Sequence, residues 1–177
     1  MELNKAIETR RSIREYKNAV INKEDIKTIL KNGTLAPSAK NKQPWEFVVI
    51  QNKDLLLEIS EALLKSSEHI SSSLLKTSEI IKNAPVLVLV FNNILEDDND
   101  WYSLSIGACI ENMLLTATSL NIGSLWIGYV NRIRKEINEI LNINDKVLMS
   151  AIVFGIKDED PSMRPRNDVD TITMWRD

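Results

Sequence analysis

The sequence predicts a layered fold in which helices pack against a central β-sheet. Helical and strand patterns alternate along the 177 residues, and no internal repeat or interdomain linker interrupts them. Apolar residues make up 44% of the chain and charged residues 27%, as in an ordinary globular protein. A chain of this length can bury a substantial core, so we expect residues 1–177 to form one domain.

The amino-terminal part of the chain predicts two helices. Apolar positions within residues 3–7 favour a short amphipathic helix that runs into Arg10. Asn22 is typical of a helix N-cap, and regularly spaced isoleucines and a leucine follow it on one face. We expect Gly33 to end this second helix.

The middle of the chain predicts strands on either side of a third helix. Residues 45–50 (WEFVVI) indicate a strand that begins after Pro44, and a helix should cover roughly 53–65. Residues 65–73 (KSSEHISSS) are polar and indicate a loop or a loose helix end. Residues 85–91 (PVLVLVF) are continuously apolar, which favours a strand buried on both faces.

The carboxyl-terminal half predicts the longest helix and the remaining strands. Residues 102–121 carry only Glu111 as a charged residue within their apolar stretch, so we expect this helix to be buried nearly all round, with help from a second subunit. A short strand at 123–128 leads to an amphipathic helix capped by Asn131. The last core strand should span 146–155.

The tail beyond the last strand has little core pattern of its own. It nevertheless ends in Met174 and Trp175, two large apolar residues. An apolar chain end of this kind usually docks on another surface, so we expect it to pack on a partner subunit.

Composition excludes several classes of protein. With 22 Lys+Arg against 25 Asp+Glu, the formal charge is −3, which argues against general nucleic-acid binding. One cysteine and one histidine leave no disulfide, no thiolate or multi-histidine metal centre and no histidine triad. The amino terminus lacks a signal-type apolar core and no stretch is long enough to span a membrane, so we expect a cytoplasmic protein.

Side chains that commonly carry catalysis are scarce. The dinucleotide, phosphate-loop and zinc-protease motifs are absent from the sequence. Glu96, Asp97 and Asp98 lie in a hydrophilic stretch and indicate a solvated turn, Cys109 indicates an inert core thiol, and His69 an exposed residue. A protein of this type is either a binder or an enzyme whose cofactor carries the reaction.

Arginines cluster in two short stretches of this acidic chain. Residues 10–16 (RRSIREY) supply three forked, permanently charged donors and a serine hydroxyl, and residues 163–166 (MRPR) supply two more arginines. Each cluster alone fits a solvated surface that complements a helix dipole, a nucleic-acid patch, or a socket for one anion. The residues themselves leave these alternatives open.

A polar loop precedes the first predicted strand. Residues 36–44 (APSAKNKQP) hold Ser38, Asn41 and Gln43 between two prolines. Such a loop can present backbone and amide groups to the edge of a heterocycle, although a plain helix-to-strand connector is the alternative.

Taken together, these stretches resemble the FMN-dependent nitroreductase family. The resemblance rests on RRSIREY, LAPSAKNKQPWEFVVI, SIGACIENMLLTATSLNIGSLWIG, MRPR and the closing MW, in this order across nearly the whole chain. It implies an α+β fold with a mixed, mainly antiparallel central sheet flanked by helices. It also implies an intertwined homodimer whose carboxyl-terminal tail docks on the partner subunit, with FMN at the interface and NADH or NADPH as electron donor.

The resemblance also implies a set of FMN contacts. Residues 10–14 would contact FMN from one subunit and residues 37–41 from the other, while Leu125 and its successors would lie beside the isoalloxazine with a backbone N–H near Ile127 facing flavin N5. The last two arginines would clamp the phosphate. The implied contact residues are Arg10, Arg11, Ser12, Arg14, Pro37, Ser38, Ala39, Asn41, Trp126, Ile127, Gly128, Arg164 and Arg166.

The chemistry of FMN agrees with this arrangement. Its phosphate carries about two negative charges and its reduced ring develops negative charge, so cations are needed at both ends of the molecule. Hydride passes between nicotinamide and flavin, so no catalytic acid is required of the protein. The implied activity is reduction of nitroaromatics, quinones or similar flat acceptors; the alternatives are a specialised flavin reductase or dehalogenase, or a non-catalytic FMN-binding regulatory protein.

Two further expectations follow from the motifs. Arg10, Ser12 and Arg14 should face FMN, whereas Glu15 and Tyr16 should not. Only about ten residues separate the strand ending at Phe91 from the next helix, where larger family members place extra helices over the substrate channel. We therefore expect a more open pocket in this chain.

Overall fold

The computed structural model describes residues 1–94 and 100–176. Its helices are α1 (Leu3–Thr9), α2 (Lys23–Thr34), α3 (Lys53–Lys65), α4 (Ser72–Lys82), α5 (Asp100–Ser119), α6 (Arg134–Leu141) and α7 (Val169–Ile172). Its strands are β1 (Trp45–Ile50), β2 (Val86–Asn92), β3 (Ile122–Ile127) and β4 (Val147–Ile156). Short 3₁₀ turns cover Ala39–Asn41 and Tyr129–Ile133.

The four strands form one sheet in the order β1-β2-β4-β3, and every neighbouring pair is antiparallel. The predicted strands agree with the observed ones to within one residue at each end. The predicted α+β class with a mainly antiparallel central sheet is therefore confirmed.

Helices cover both faces of the sheet. One face packs against α3, α4 and α6 through a core that includes Leu87, Leu89 and Val153. The other face packs against α2 and α5 through a core that includes Val88, Ile152 and Phe154. Strand β2 runs between the two cores, and each residue from Val86 to Phe91 is completely buried, as the continuous apolar run predicts.

Helix α2 begins as predicted and ends differently. The Asn22 side chain accepts a hydrogen bond from the Glu24 N–H at 3.0 Å, which satisfies a free donor of the first turn. Gly33 does not terminate the helix, because α2 continues to Thr34 and no glycine in the described residues has a positive φ. A Cβ at Gly33 would lie 2.6 Å from Met113 Cγ, so this glycine allows α2 to pack closely on α5.

The predicted cap of α6 is also wrong. Asn131 lies inside the 3₁₀ turn that precedes the helix, and its N–H donates to the Gly128 carbonyl. Helix α6 begins at Arg134 without a side-chain cap. It ends at Leu141 and is followed by Asn142 in the left-handed conformation. Its apolar face is nonetheless oriented as predicted, since Ile133 and Ile137 are fully buried.

The serine-rich stretch divides between a loop and a helix. Helix α3 ends at Lys65 as expected, residues 66–71 connect it to α4, and Ser71 caps α4 by accepting the Leu74 N–H. His69 is exposed, as predicted. Glu96, Asp97 and Asp98 lie outside the described residues.

The longest helix is not buried all round within one chain. In its first turn Trp101 is 56% exposed and Leu104 is 73% exposed, whereas Cys109 and Met113 are fully buried. The tail is exposed as well, including Trp175 at 78%. Of the helices in the described residues, none is both long and apolar enough to cross a membrane.

Candidate functional site

The first arginine-bearing stretch docks on the ends of two strands. Ser12 forms a parallel bridge with Ser124 of β3, and the Ile13 N–H donates to the Ser124 carbonyl at 2.9 Å. Further along, the Lys17 N–H donates to the Ile156 carbonyl of β4 at 2.9 Å. Residues 10–17 therefore extend the sheet edge locally instead of lying free on the surface.

Two glycines provide room for this docking. Gly123 and Gly155 are directly opposite each other in the β3–β4 register. A Cβ at Gly123 would lie 3.0 Å from Ile13 Cγ2, and one at Gly155 would overlap the Tyr16 ring and lie 2.8 Å from Pro85 Cγ. The two missing side chains thus create the surface on which Ile13 and Tyr16 rest.

The tail after β4 is fastened to the same stretch. The Glu159 carboxylate accepts hydrogen bonds from the backbone N–H groups of Arg14 and Glu15. The Asp158 N–H donates to the Glu15 carbonyl at 3.0 Å, and Arg11 Nε donates to the Pro161 carbonyl at 3.2 Å. These contacts hold residues 10–15 alongside residues 158–161.

The fastening gathers the two arginine clusters around one cleft of about 200 Å³. Among residues 1–94 and 100–176, no carboxylate lines this cleft, although the chain as a whole is acidic. The residues that line it are Arg10, Arg11, Ser12, Arg14, Pro161, Ser162, Met163, Arg164 and Arg166. Every predicted site residue in the stretches 10–14 and 164–166 therefore lies at one place.

The arginines differ in how they are held. Arg10 Nε lies 3.4 Å from a Glu111 carboxylate oxygen, so the one charge in the apolar stretch of α5 orients this side chain. Arg14 Nη1 donates to the Ser12 carbonyl at 3.0 Å. Within the described residues, Arg166 donates only to carbonyls of its own neighbours, Arg164 at 3.3 Å and Pro165 at 3.5 Å, which leaves donors for a ligand.

Arg11 serves the protein itself. Its Nη1 donates to the carbonyls of Glu8 at 2.7 Å and Arg10 at 2.8 Å, next to the carboxyl end of α1, where helix carbonyls lack partners. Its Nε holds Pro161 on the opposite side. Arg11 lines the cleft, but its contacts are those of a clamp between helix and tail.

Tyr16 and Glu15 have structural roles. The Tyr16 hydroxyl donates to the Ile13 carbonyl at 2.6 Å. Burial, followed by the nearby Glu159 charge, raises the pKa of Tyr16, so the phenol stays neutral. Neither residue lines the arginine cleft.

The predicted loop lies apart from this cleft within one chain. Pro37, Ser38, Ala39 and Asn41 are not among the cleft's lining residues. The Ala39 N–H donates to Ser105 Oγ of α5 at 3.2 Å, which ties the loop to the exposed start of that helix.

The backbone of this loop is unusual. Lys40, Asn41 and Gln43 have φ values of 52°, 53° and 49°, in the left-handed region, which is uncommon for lysine and glutamine and less so for asparagine. The Gln43 N–H donates to Ser38 Oγ at 3.0 Å, which helps to hold the conformation. Strained backbone of this kind concentrates at ligand sites.

At the end of β3, buried side chains alternate with main chain that a ligand could reach. Leu125 and Ile127 point into the core, so only the main chain of Ile127 is available to a ligand. Trp126 is 43% exposed. Gly128 follows in an open position, since no atom of the described residues would lie within 4 Å of a Cβ there.

The residues that hold the predicted site residues in place are not among those expected from the sequence. Glu159 and Glu111 orient arginines or their backbone, and Ser105 fixes the loop. Glu111 is signalled by its isolation in an apolar helix. Glu159 lies in a run of acidic residues that resembles any solvated turn, so no sequence signal marks it.

Comparison with known proteins identifies the family. The sequence model described as the nitroreductase family matches residues 7–156. A protein from Archaeoglobus fulgidus, provisionally named NADH dehydrogenase/NAD(P)H nitroreductase, is 35% identical over 156 residues that cover 86% of this chain and 83% of that protein. An iodotyrosine deiodinase from Thermotoga neapolitana is 25% identical over 174 residues, 90% of this chain and 91% of that one.

A solved structure agrees with the sequence matches. A provisionally named nitroreductase from Desulfovibrio desulfuricans, crystallised in complex with FMN, has a TM-score of 0.82, is 25% identical, and is matched over 100% of this chain and 98% of that one. The chain belongs to the nitroreductase family and shares its general oxidoreductase function.

Proposed function

We propose that this chain is an FMN-dependent NAD(P)H oxidoreductase that reduces nitroaromatics, quinones or similar flat acceptors. The observation that carries the proposal is the cleft in which five arginines from opposite ends of the chain meet, and none of its lining residues in the described part of the chain carries a carboxylate. A phosphate monoester of about two negative charges suits such a cleft, because guanidinium forks match its oxygens. The donor set therefore fits the phosphate of FMN.

The end of β3 fits the other part of the cofactor. Gly128 leaves open space beside an exposed main chain, and the indole of Trp126 provides a flat apolar surface. The strained loop at 37–41 can complete the wall from a second subunit, since within one chain it lies outside the arginine cleft. A planar ring with polar edges matches these three features.

In this proposal the protein binds and orients, while the cofactor carries electrons. FMN supplies a ring that accepts hydride from NADH or NADPH and passes it to the acceptor. Arg10, Arg14, Arg164 and Arg166 hold the phosphate, because all four line the same cleft. The exposed residues at the start of α5 and Trp126 exclude water from the reacting face.

We further propose a cytoplasmic homodimer of one FMN-binding domain per chain, residues 1–177. Large apolar side chains remain exposed on α1, at the start of α5 and along the tail. A second copy that receives the tail would cover them and bring its loop 37–41 to the cofactor. The exposed residues are Leu3, Ile7, Trp101, Leu104, Val169, Ile172, Met174 and Trp175.

The direct test is cofactor binding followed by rapid reduction. Titration of FMN into apoprotein should quench flavin fluorescence and raise the melting temperature, because a ligand that binds only the folded state stabilises it. Stopped-flow mixing of the holoprotein with NADH or NADPH should then bleach the oxidised flavin. Absence of FMN binding contradicts the proposal, and binding without reduction by either donor indicates a non-catalytic flavin protein instead.

Two arginine variants test the position of the cleft. Arg14→Ala and Arg166→Ala should each weaken FMN binding by about 1.5–3 kcal/mol, the range for one lost charge-assisted contact. Arg132→Ala is the matched control, because that arginine lies over the Tyr129 ring, 5.4 Å from its centre, and not at the cleft. Equal FMN affinities in all three variants and the parent protein would show that FMN binds elsewhere.

The match to an iodotyrosine deiodinase favours a second candidate, reductive dehalogenation of a halogenated phenol. The two activities are separated by the acceptor that reoxidises the reduced protein. Reoxidation by nitro and quinone compounds supports the first candidate. Halide release from an iodophenol, with no turnover of generic nitro or quinone acceptors, supports the second.

A further inference from the structure

The buried Ser150 of β4 lies next to a β-bulge and contacts the end of β3. In the β2–β4 ladder Val90 pairs with Ser150 and Phe91 pairs with Leu148, so Met149 is the extra residue. Bulges of this kind change the direction of neighbouring side chains and are frequent beside active sites. The Ser150 side chain, only 3% exposed, reaches the last two residues of β3 from this position.

The Ser150 hydroxyl makes two hydrogen bonds there. It accepts from Trp126 Nε1 at 2.5 Å and donates to the Ile127 carbonyl at 3.0 Å. A hydroxyl has one proton to donate, and the indole N–H can only donate, so the direction of both bonds is fixed. One buried side chain therefore orients the exposed indole and the peptide between Ile127 and Gly128.

That peptide presents an N–H to the open space described above. Because a peptide unit is planar and trans, fixing the Ile127 carbonyl also fixes the direction of the Gly128 N–H on the opposite side. This N–H has no acceptor within the described part of the chain. Gly128 itself is exposed, and no atom of the described residues would lie within 4 Å of a Cβ there.

We infer that Ser150 is a positioning residue that sets the reduction potential of the bound flavin through the Gly128 N–H and the Trp126 ring. This inference rests on the proposed FMN site. Oxidised flavin N5 accepts a hydrogen bond, whereas reduced N5 carries a hydrogen, so a fixed N–H donor favours the oxidised form. Loss of the Ser150 hydroxyl loosens the peptide and raises the midpoint potential.

The test is the midpoint potential of FMN in holoprotein carrying Ser150→Ala, Ser150→Cys or Ser150→Thr. The alanine and cysteine variants remove or weaken the hydroxyl bonds, and the threonine variant retains them. We expect the first two to bind oxidised FMN about fivefold less well relative to reduced FMN, which is about +20 mV for a two-electron couple. The threonine variant should keep the parent potential.

Ser78→Ala is the matched control. Ser78 is fully buried and bonded through its hydroxyl to Ser60, between α3 and α4 rather than at the end of β3. It should lose stability without a change in potential. The inference is overturned if the Ser150→Ala and Ser150→Cys potentials equal the parent value, if Ser150→Thr shifts with them, or if Ser78→Ala shifts equally. If the parent protein itself does not bind FMN, the proposed function fails instead.

Discussion

Gly155→Ala should damage the arginine cleft from a distance. A Cβ at this position would lie 2.8 Å from Tyr16 Cγ and 2.8 Å from Pro85 Cγ, on the buried sheet surface that supports residues 10–17. Overpacking by one methyl group costs about 1–3 kcal/mol, and replacing a strand glycine returns about 0.5–1 kcal/mol. Both neighbours are rings that cannot bend aside, so we expect an overpacking cost of about 2–2.5 kcal/mol within that range and a net loss of about 1–2 kcal/mol in the free energy of unfolding.

For a chain of this size, each kcal/mol lowers the melting temperature by about 2–4 °C, so thermal unfolding should show a drop of about 2–8 °C. The variant should also bind FMN more weakly, because the displaced Tyr16 ring carries the neighbouring Arg14 with it. Isothermal titration with FMN at a temperature where both proteins are folded measures this second effect.

Gly107→Ala serves as the comparison. A Cβ there would meet only Trp126 Cη2 at 3.9 Å, an ordinary contact. Since alanine is a better helix former than glycine by about 1 kcal/mol, this variant should be as stable as the parent or more so. A Gly155→Ala protein as stable as the parent would refute the claim that the glycine makes room for Tyr16.

Two other predictions concern single side chains. Burial raises the pKa of the Cys109 thiol from 9.0 to about 12, so the stability that its neutral form contributes is complete below pH 9 and is lost as pH rises toward 12. The parent protein should therefore lose free energy of unfolding faster than Cys109→Ala across that range, by up to about 1.4 kcal/mol per pH unit, and equal slopes would contradict this. Arg11→Ala should lower the melting temperature by about 2–6 °C because it releases three carbonyls, while Arg166→Ala should change it little, and differential scanning calorimetry compares them.

Most of the fold follows from apolar periodicity. The buried run 85–91 and the strand 45–50 match the structure because local pattern and tertiary environment agree there. The predicted helix end at Gly33 is wrong, because the sequence does not show that Met113 of another helix packs against this glycine. The predicted N-cap of α6 at Asn131 is wrong, because a 3₁₀ turn lies between this residue and the start of the helix.

The site divides in the same way. The arginines are recognisable from their motifs, because their charge is unexplained by the composition of the chain. The residues that support them are not, because Glu159 and Ser150 acquire their roles only through contacts with residues distant in the sequence. The structure also distinguishes Arg11, whose hydrogen bonds join α1 to the tail, from the other arginines of the cleft. The sequence does not show this difference, because the side chains are identical.

The pairing of residues 10–17 with the end of β4 and the tail has a consequence for the order of folding. Arg11 and Pro161 are 150 positions apart, so this contact closes nearly the whole chain as a loop. Contacts of such long sequence separation form late, since the entropy of closure must be overcome first. A chain emerging from the ribosome can complete α1, α2 and the first strands before residues 10–14 and 164–166 come together. An anion bound between these two stretches would then stabilise the closed chain.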